Sequence, residues 1–125
     1  MRSEKVLYFT PKEEEFAMLL MNIGLKRNVA KVLVYLANTS EATSRDIERG
    51  TDLRQPEVSI AMRTLKDNEW IETRESKAES KGRPVKIYRL SRPIEEIMDI
   101  IERNKRKEVK SQLALIEKVR EHISV

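Results

Sequence analysis

The chain has no cysteine, one histidine, three glycines and four prolines in 125 residues. Without cysteine there can be no disulfide, thiolate zinc site or cysteine nucleophile. The single histidine, His122, has no second imidazole to join it in a metal site or a catalytic pair. No glycine-rich phosphate loop occurs, no spacing suits a metal, and no nucleophile stands beside a base, so no enzyme, no cofactor and no metal are expected. Aromatic residues make up only 5%. No apolar run approaches the ~18 residues of a membrane span. The charged start, Met1-Arg2-Ser3-Glu4-Lys5, lacks the apolar core of a signal peptide. A cytoplasmic protein with no membrane partner is the expectation.

Charge is abundant instead. Charged residues reach 37% and the net charge is +4, a mild excess compatible with a polyanionic partner. The hydrophobic fraction of 39% still supports a packed core. The length fits one small domain with an extension.

Helical punctuation starts early. Val6 to Phe9 read as a short apolar arm. Thr10, Pro11 and Glu13 form a capping signal, and Phe16, Leu19, Leu20 and Ile23 come next at the spacing of one helical face. Gly24 should end that helix. Asn28 is expected to cap the next, whose buried face is Val29, Val32, Leu33 and Leu36, widened by Val34 and Tyr35. Met18, Met21 and Met62 read as core filler.

From residue 43 the parts come in a telling order. Thr43 with Asp46 caps a short helix, and Gly50 to Leu53 make a tight turn. Pro56 opens a second helix with Val58, Met62 and Leu65 on one stripe. Ile71 to Arg74 and Val85 to Leu90 read as two strands, with Tyr88 and Leu90 toward the core. A polar loop with Lys81-Gly82-Arg83-Pro84 at its end joins them, and Trp70 packs at the base of this hairpin. Helix, turn, helix and basic hairpin together are the parts of a winged helix-turn-helix. The fold expected is mainly α with a small β-hairpin wing, and a long terminal helix after it.

Residues 24–91 resemble the winged-helix DNA-binding domain of the MarR, ArsR and TrmB-like transcriptional regulators. Ile23-Gly24-Leu25, Val32 to Ala37 and Glu41 to Ile47 are most like the archaeal TrmB-like group. Val58-Ser59, Met62, Leu65 and Trp70-Ile71 are similar to the recognition helix of that superfamily and the start of its first wing strand. Lys81 to Pro84 with Tyr88-Arg89-Leu90 are similar to its wing. The resemblance implies dimeric operator binding. One departure stands out: family members usually carry glycine just before the aromatic or aliphatic pair that starts the wing, and this chain has Glu69. Asn68 is expected to take the left-handed backbone conformation in its place.

A recognition helix fits the major groove, where each base pair shows its own donor and acceptor pattern. Arg54 and Arg63 can each make a two-pronged contact to guanine, and Gln55 to adenine. Ser59 can reach a base or phosphate, Ile60 a thymine methyl, and Glu57 a cytosine amino group; Lys66 lies on the same charged face. Thr43, Ser44 and Arg45 are placed to meet a phosphate. In the wing, Lys81 and Arg83 can follow the backbone or enter the minor groove, with Gly82 permitting close approach. Residues 71–90 hold six basic side chains against three acidic ones, which concentrates the positive excess there.

After Pro93 there is neither glycine nor proline. Ile94, Met98, Ile101, Lys105, Val109, Gln112, Ile116, Val119 and Ile123 step by four and three, a coiled-coil seam with one irregular step at Lys105. Ile94, Ile97, Met98, Ile101, Val109, Gln112, Ile116, Val119 and Ile123 are therefore expected at a homodimer interface. The division expected is a DNA-binding domain over 1–91 and a dimerisation helix over 92–125. Duplex DNA and a second copy are the expected partners, and any effector is unidentified. Two alternatives stay open: an architectural protein with low sequence specificity, and a winged helix that binds other proteins in the transcription machinery.

Overall fold

Thr10 and Thr43 start two helices by the same chemistry. The Thr10 hydroxyl accepts from the Glu13 N–H at 3.2 Å while the Glu13 carboxylate accepts from the Thr10 N–H at 2.8 Å. Thr43 and Asp46 repeat the exchange with both bonds at 3.1 Å. Each reciprocal pair satisfies amides that a helix start leaves without partners. The computed structural model describes residues 9–76 and 84–123. These form α1 (Pro11–Asn22), α2 (Arg27–Ala37), α3 (Ser44–Thr51), α4 (Gln55–Asp67), β1 (Ile71–Ser76), β2 (Val85–Leu90) and α5 (Ile94–Ile123). The Val6–Tyr8 part of the expected arm, and the wing residues Lys81, Gly82 and Arg83, lie outside the described residues. The mainly α fold with one hairpin and a long last helix is the one expected.

α2 carries the core. Val29, Ala30 and Val32 to Leu36 are all buried, and α1, α3 and α4 pack on this helix. Its start differs from expectation. The N-cap is Lys26, which makes no side-chain capping bond. Asn28 instead donates from Nδ2 to the Glu57 carbonyl at 3.1 Å, tying the start of α2 to the start of α4.

α1 also departs from its sequence pattern. Ala17 and Leu20 are its buried residues, whereas Met18, Leu19 and Ile23 are exposed. Met18 is therefore not core filler, although Met62 is. The helix ends at Asn22 with Ile23 as its cap, and Gly24, one place further on, has a φ of 119° that is open to glycine. There the Leu25 N–H donates to the Leu20 carbonyl at 3.1 Å and the Gly24 N–H to the Met21 carbonyl at 3.0 Å.

α3 meets α2 through Gly50. A Cβ there would fall 2.6 Å from Cδ1 of the buried Tyr35 ring. Burial raises the Tyr35 hydroxyl pKa, helped by the carboxylates of Asp46 and Glu13. Gly50→Ala is expected to cost about 1–3 kcal/mol net, because the crowding outweighs alanine's gain in helix propensity. Urea unfolding measures this, and a variant as stable as the parent would show that the ring can swing aside.

The end of α4 resolves the position where the sequence departs from family habit. Glu69, not Asn68, takes the left-handed conformation, with φ 64°. The Glu69 N–H donates to the Lys66 carbonyl at 2.9 Å and the Trp70 N–H to the Leu65 carbonyl at 3.0 Å. These are the two bonds of a Schellman ending, and they require the left-handed residue one place past the cap, which is position 69. Leu65 and Trp70, the apolar pair that accompanies such an ending, are both buried. The Ser91 hydroxyl donates to the Glu69 carbonyl at 2.8 Å, and the Ser91 N–H to the Trp70 carbonyl at 2.8 Å.

β1 and β2 pair antiparallel, with Ile71 opposite Leu90, Thr73 opposite Tyr88 and Glu75 opposite Lys86. Tyr88 and Leu90 are half-buried. Ala42, just before α3, makes a bridge to Tyr88 through bonds of 2.8 and 2.9 Å. That bridge anchors the hairpin stem beside the first helix of the helix-turn-helix.

The chain divides into two compact units, Met1–Arg92 and Pro93–Val125. The second is α5, 30 residues long, or roughly 45 Å at 1.5 Å per residue. Ile97 is buried. Ile94, Met98 and Ile101 are half-buried, and Gln112 is exposed. Val109, Ile116, Val119 and Ile123 are exposed, as are Leu113 and Leu115, which flank them.

Candidate nucleic-acid interface

α4 has two contrasting sides. Val58, Ala61, Met62 and Leu65 are buried. Arg54 and Gln55 at its start, then Ser59, Ile60 and Arg63 along it and Lys66 near its end, are exposed. Ile60 is 58% exposed, an apolar side chain held away from the core. An exposed ridge of this kind combines hydrogen-bond donors with one apolar group, the chemistry that base edges and thymine methyls recognise.

Glu57 is already engaged. Its Oε1 accepts from the Arg54 N–H at 2.9 Å, which closes the first turn of α4. Its Oε2 lies 3.8 Å from the Arg27 guanidinium. The carboxylate therefore holds the helix start, and it offsets the positive end that would otherwise draw a phosphate. At α3, the Asp46 carboxylate occupies the equivalent place and Thr43 spends its acceptor on the cap. Ser44 is half-buried and Arg45 exposed, so Arg45 is the cation that the first turn of α3 presents.

The hairpin sorts charge by face. On one face, Arg74 makes a two-pronged contact to Glu41 with bonds of 2.8 and 3.3 Å. Arg89 bonds Glu72 at 3.0 Å. The hydrogen bond from Arg74 holds the Glu41 carboxyl below the usual glutamate range. Arg74 and Arg89 belong to the basic excess of the sequence, yet their charges are compensated inside the fold. The other face carries Ile71, Thr73, Tyr88 and Lys86 toward α4. With Ser59, Met62, Arg63 and Lys66 these residues line a cleft of about 430 Å³ between helix and hairpin.

Thr73, Lys86 and Tyr88 are not among the residues that the sequence singles out for DNA. Their signal lies in the alternation of the strands, since residues two apart share a face. What the alternation lacks is the direction of α4. Leu113 and Leu115 escape the sequence pattern for a similar reason: they lie beside the three-and-four seam. Among the described residues, no group of His, Cys, Asp or Glu is arranged to hold a metal, and no helix is long and apolar enough to cross a membrane.

Known proteins share this architecture. The profile of the family described as "Sugar-specific transcriptional regulator TrmB" matches residues 19–94, more than half of the chain. A possible transcriptional regulator from Methanosarcina mazei Go1 has a similar structure, with a TM-score of 0.62 at 15% identity over 85% of this chain and 86% of that one. TrmBL2, described as an archaeal chromatin protein with a novel mode of DNA binding, superposes with a TM-score of 0.63 at 17% identity. The match covers 90% of this chain and 40% of TrmBL2. The MarR family regulator NMB1585 from Neisseria meningitidis gives a TM-score of 0.50 at 18% identity over 87% of this chain and 85% of its own. No curated protein matches the sequence. The helix-turn-helix, its hairpin and the matched profile lead to one conclusion: the chain belongs to the TrmB family of transcriptional regulators, a DNA-binding family of winged-helix proteins.

Proposed function

We propose that the protein is a cytoplasmic transcriptional regulator that reads duplex DNA as a homodimer. Residues 1–91 form the DNA-binding part and residues 92–125 the dimerising helix. α4 enters the major groove, and the hairpin, with Lys81, Gly82 and Arg83 beyond the described residues, follows the backbone or the minor groove. Arg45, with Thr43 and Ser44, approaches a phosphate. Arg54, Gln55, Ser59, Ile60 and Arg63 supply the base-reading groups. Glu57 positions them through the first turn of α4. Two copies joined through α5 would place their half-sites about one helical turn apart, or a multiple of it.

The observation that carries this reading is the exposed ridge of α4, with donors and Ile60 turned away from a fully packed opposite side. Selection of bound duplexes from a random DNA pool tests it, and a two-fold-symmetric motif is the expected result. On that motif, Arg63→Ala is expected to cost roughly 1–3 kcal/mol and to relax one base position. Equal loss on unrelated DNA would remove Arg63 from base recognition. The likeness to an archaeal chromatin protein favours a second reading, DNA binding with little sequence preference. Retention of duplexes without any motif would select that one.

A further inference from the structure

We infer that the cleft between α4 and the hairpin seats one sugar–phosphate strand of the duplex, gripped by Lys66 and Lys86 with the hydroxyls of Ser59, Thr73 and Tyr88. The inference rests on the DNA-binding reading and extends it to Lys66, Thr73, Lys86 and Tyr88, with Ser59 at the boundary between base and backbone. The first observation is the lining. Arg63, Lys66 and Lys86 bring three cations, and Ser59, Thr73 and Tyr88 bring three hydroxyls, over an apolar floor of Met62 and Ile71. Among the described residues, no carboxylate lines the cleft. A groove with cations and neutral donors but no anion suits a phosphodiester.

The second observation is how the hairpin divides its charges. On the face away from the cleft, Arg74 and Arg89 are consumed by Glu41 and Glu72. On the cleft face, Lys86 stands opposite Glu75 in the ladder, yet neither it nor Lys66 has a carboxylate within 4.0 Å among the described residues. Among the described residues of the stem, Lys86 is therefore the cation outside any ion pair, and it lines the cleft. The third argument is topological. When a helix occupies the major groove and the hairpin beside it reaches the next groove, the strand that separates the two grooves must run between them. In this protein the space between them is the cleft.

Salt-dependent binding tests the inference. Lys66→Gln and Lys86→Gln change exposed side chains in the full chain, and circular dichroism should show them folded. Titrations of the selected duplex and of an unrelated duplex of equal length are then compared across salt concentrations. Each variant is expected to weaken both duplexes by the same factor and to reduce the slope of log K against log[salt] by about one. The double variant should reduce it by about two. Arg74→Gln removes equal charge from the opposite face and should leave the slope unchanged. Parental slopes in both lysine variants, with Arg63→Ala still losing its motif, would overturn the seat and leave the DNA-binding reading standing. A parent protein that retains no duplex even at low salt would remove both.

Discussion

Glutamate at Val109 and Ile116 is expected to turn the proposed dimer into monomers and to weaken binding to a two-fold-symmetric site by roughly 10²–10⁴-fold. Both side chains are exposed in the single chain, at 46% and 48%, so the helix itself does not depend on them. In the three-and-four register they share the seam with Gln112, Val119 and Ile123. Burying such side chains against a second copy contributes about 1.5–3 kcal/mol each. The double variant removes that contribution in both copies and places carboxylates along one seam. Sedimentation reads the mass, and circular dichroism should report an intact helix. The monomer would still read one half-site, so its loss is that of a tethered second contact. Persistent dimers would move the interface elsewhere, and the exposed apolar residues Met18, Leu19 and Ile23 of α1 would then be the surface to vary.

The second large effect concerns stability. Leu65→Ala is expected to cost roughly 2–5 kcal/mol, because it opens a cavity beneath α4. Leu65 is fully buried, and its backbone carbonyl accepts from the Trp70 N–H where α4 hands over to β1. The substitution should therefore lower the melting temperature by at least about 10 °C and loosen the base of the hairpin with it. Ile60→Ala, one face away on the same helix, should change stability by no more than about 0.5 kcal/mol, because its side chain is already in solvent. Thermal and urea unfolding measure the pair. Similar losses for both would mean that α4 does not dock through the Val58–Leu65 side.

Much of this was legible because it is local. The capping signals of Thr10 with Glu13 and of Thr43 with Asp46 involve residues three apart, and both became helix starts. Stripes were legible where one apolar arc dominates, as in α2 and α4. They misled in α1, where Phe16, Leu19, Leu20 and Ile23 match one helical face while Met18 and Met21 are apolar outside it. Periodicity tells which residues share a face. It does not tell which face meets α2, and packing buried Ala17 and Leu20. Asn28 showed the same limit: its type suits a cap, yet a carbonyl 29 residues away claimed its amide.

The candidate interface divides along the same line. The order of its elements and the basic character of its surface were written in the chain, because helix caps, strand alternation and charge are properties of neighbours in sequence. The compensation of Arg74 by Glu41 and of Arg89 by Glu72, and the convergence of Lys86, Thr73 and Tyr88 on α4, required the hairpin to be folded against the helices. The left-handed turn at Glu69 is local by contrast: the bonds from the Glu69 and Trp70 N–H groups to the Lys66 and Leu65 carbonyls set its position, whatever the preference of the asparagine beside it. Local interactions chose the elements of this protein. The contacts between residues far apart in sequence decided which of its charges face outward, since only packing brings those side chains within reach of one another.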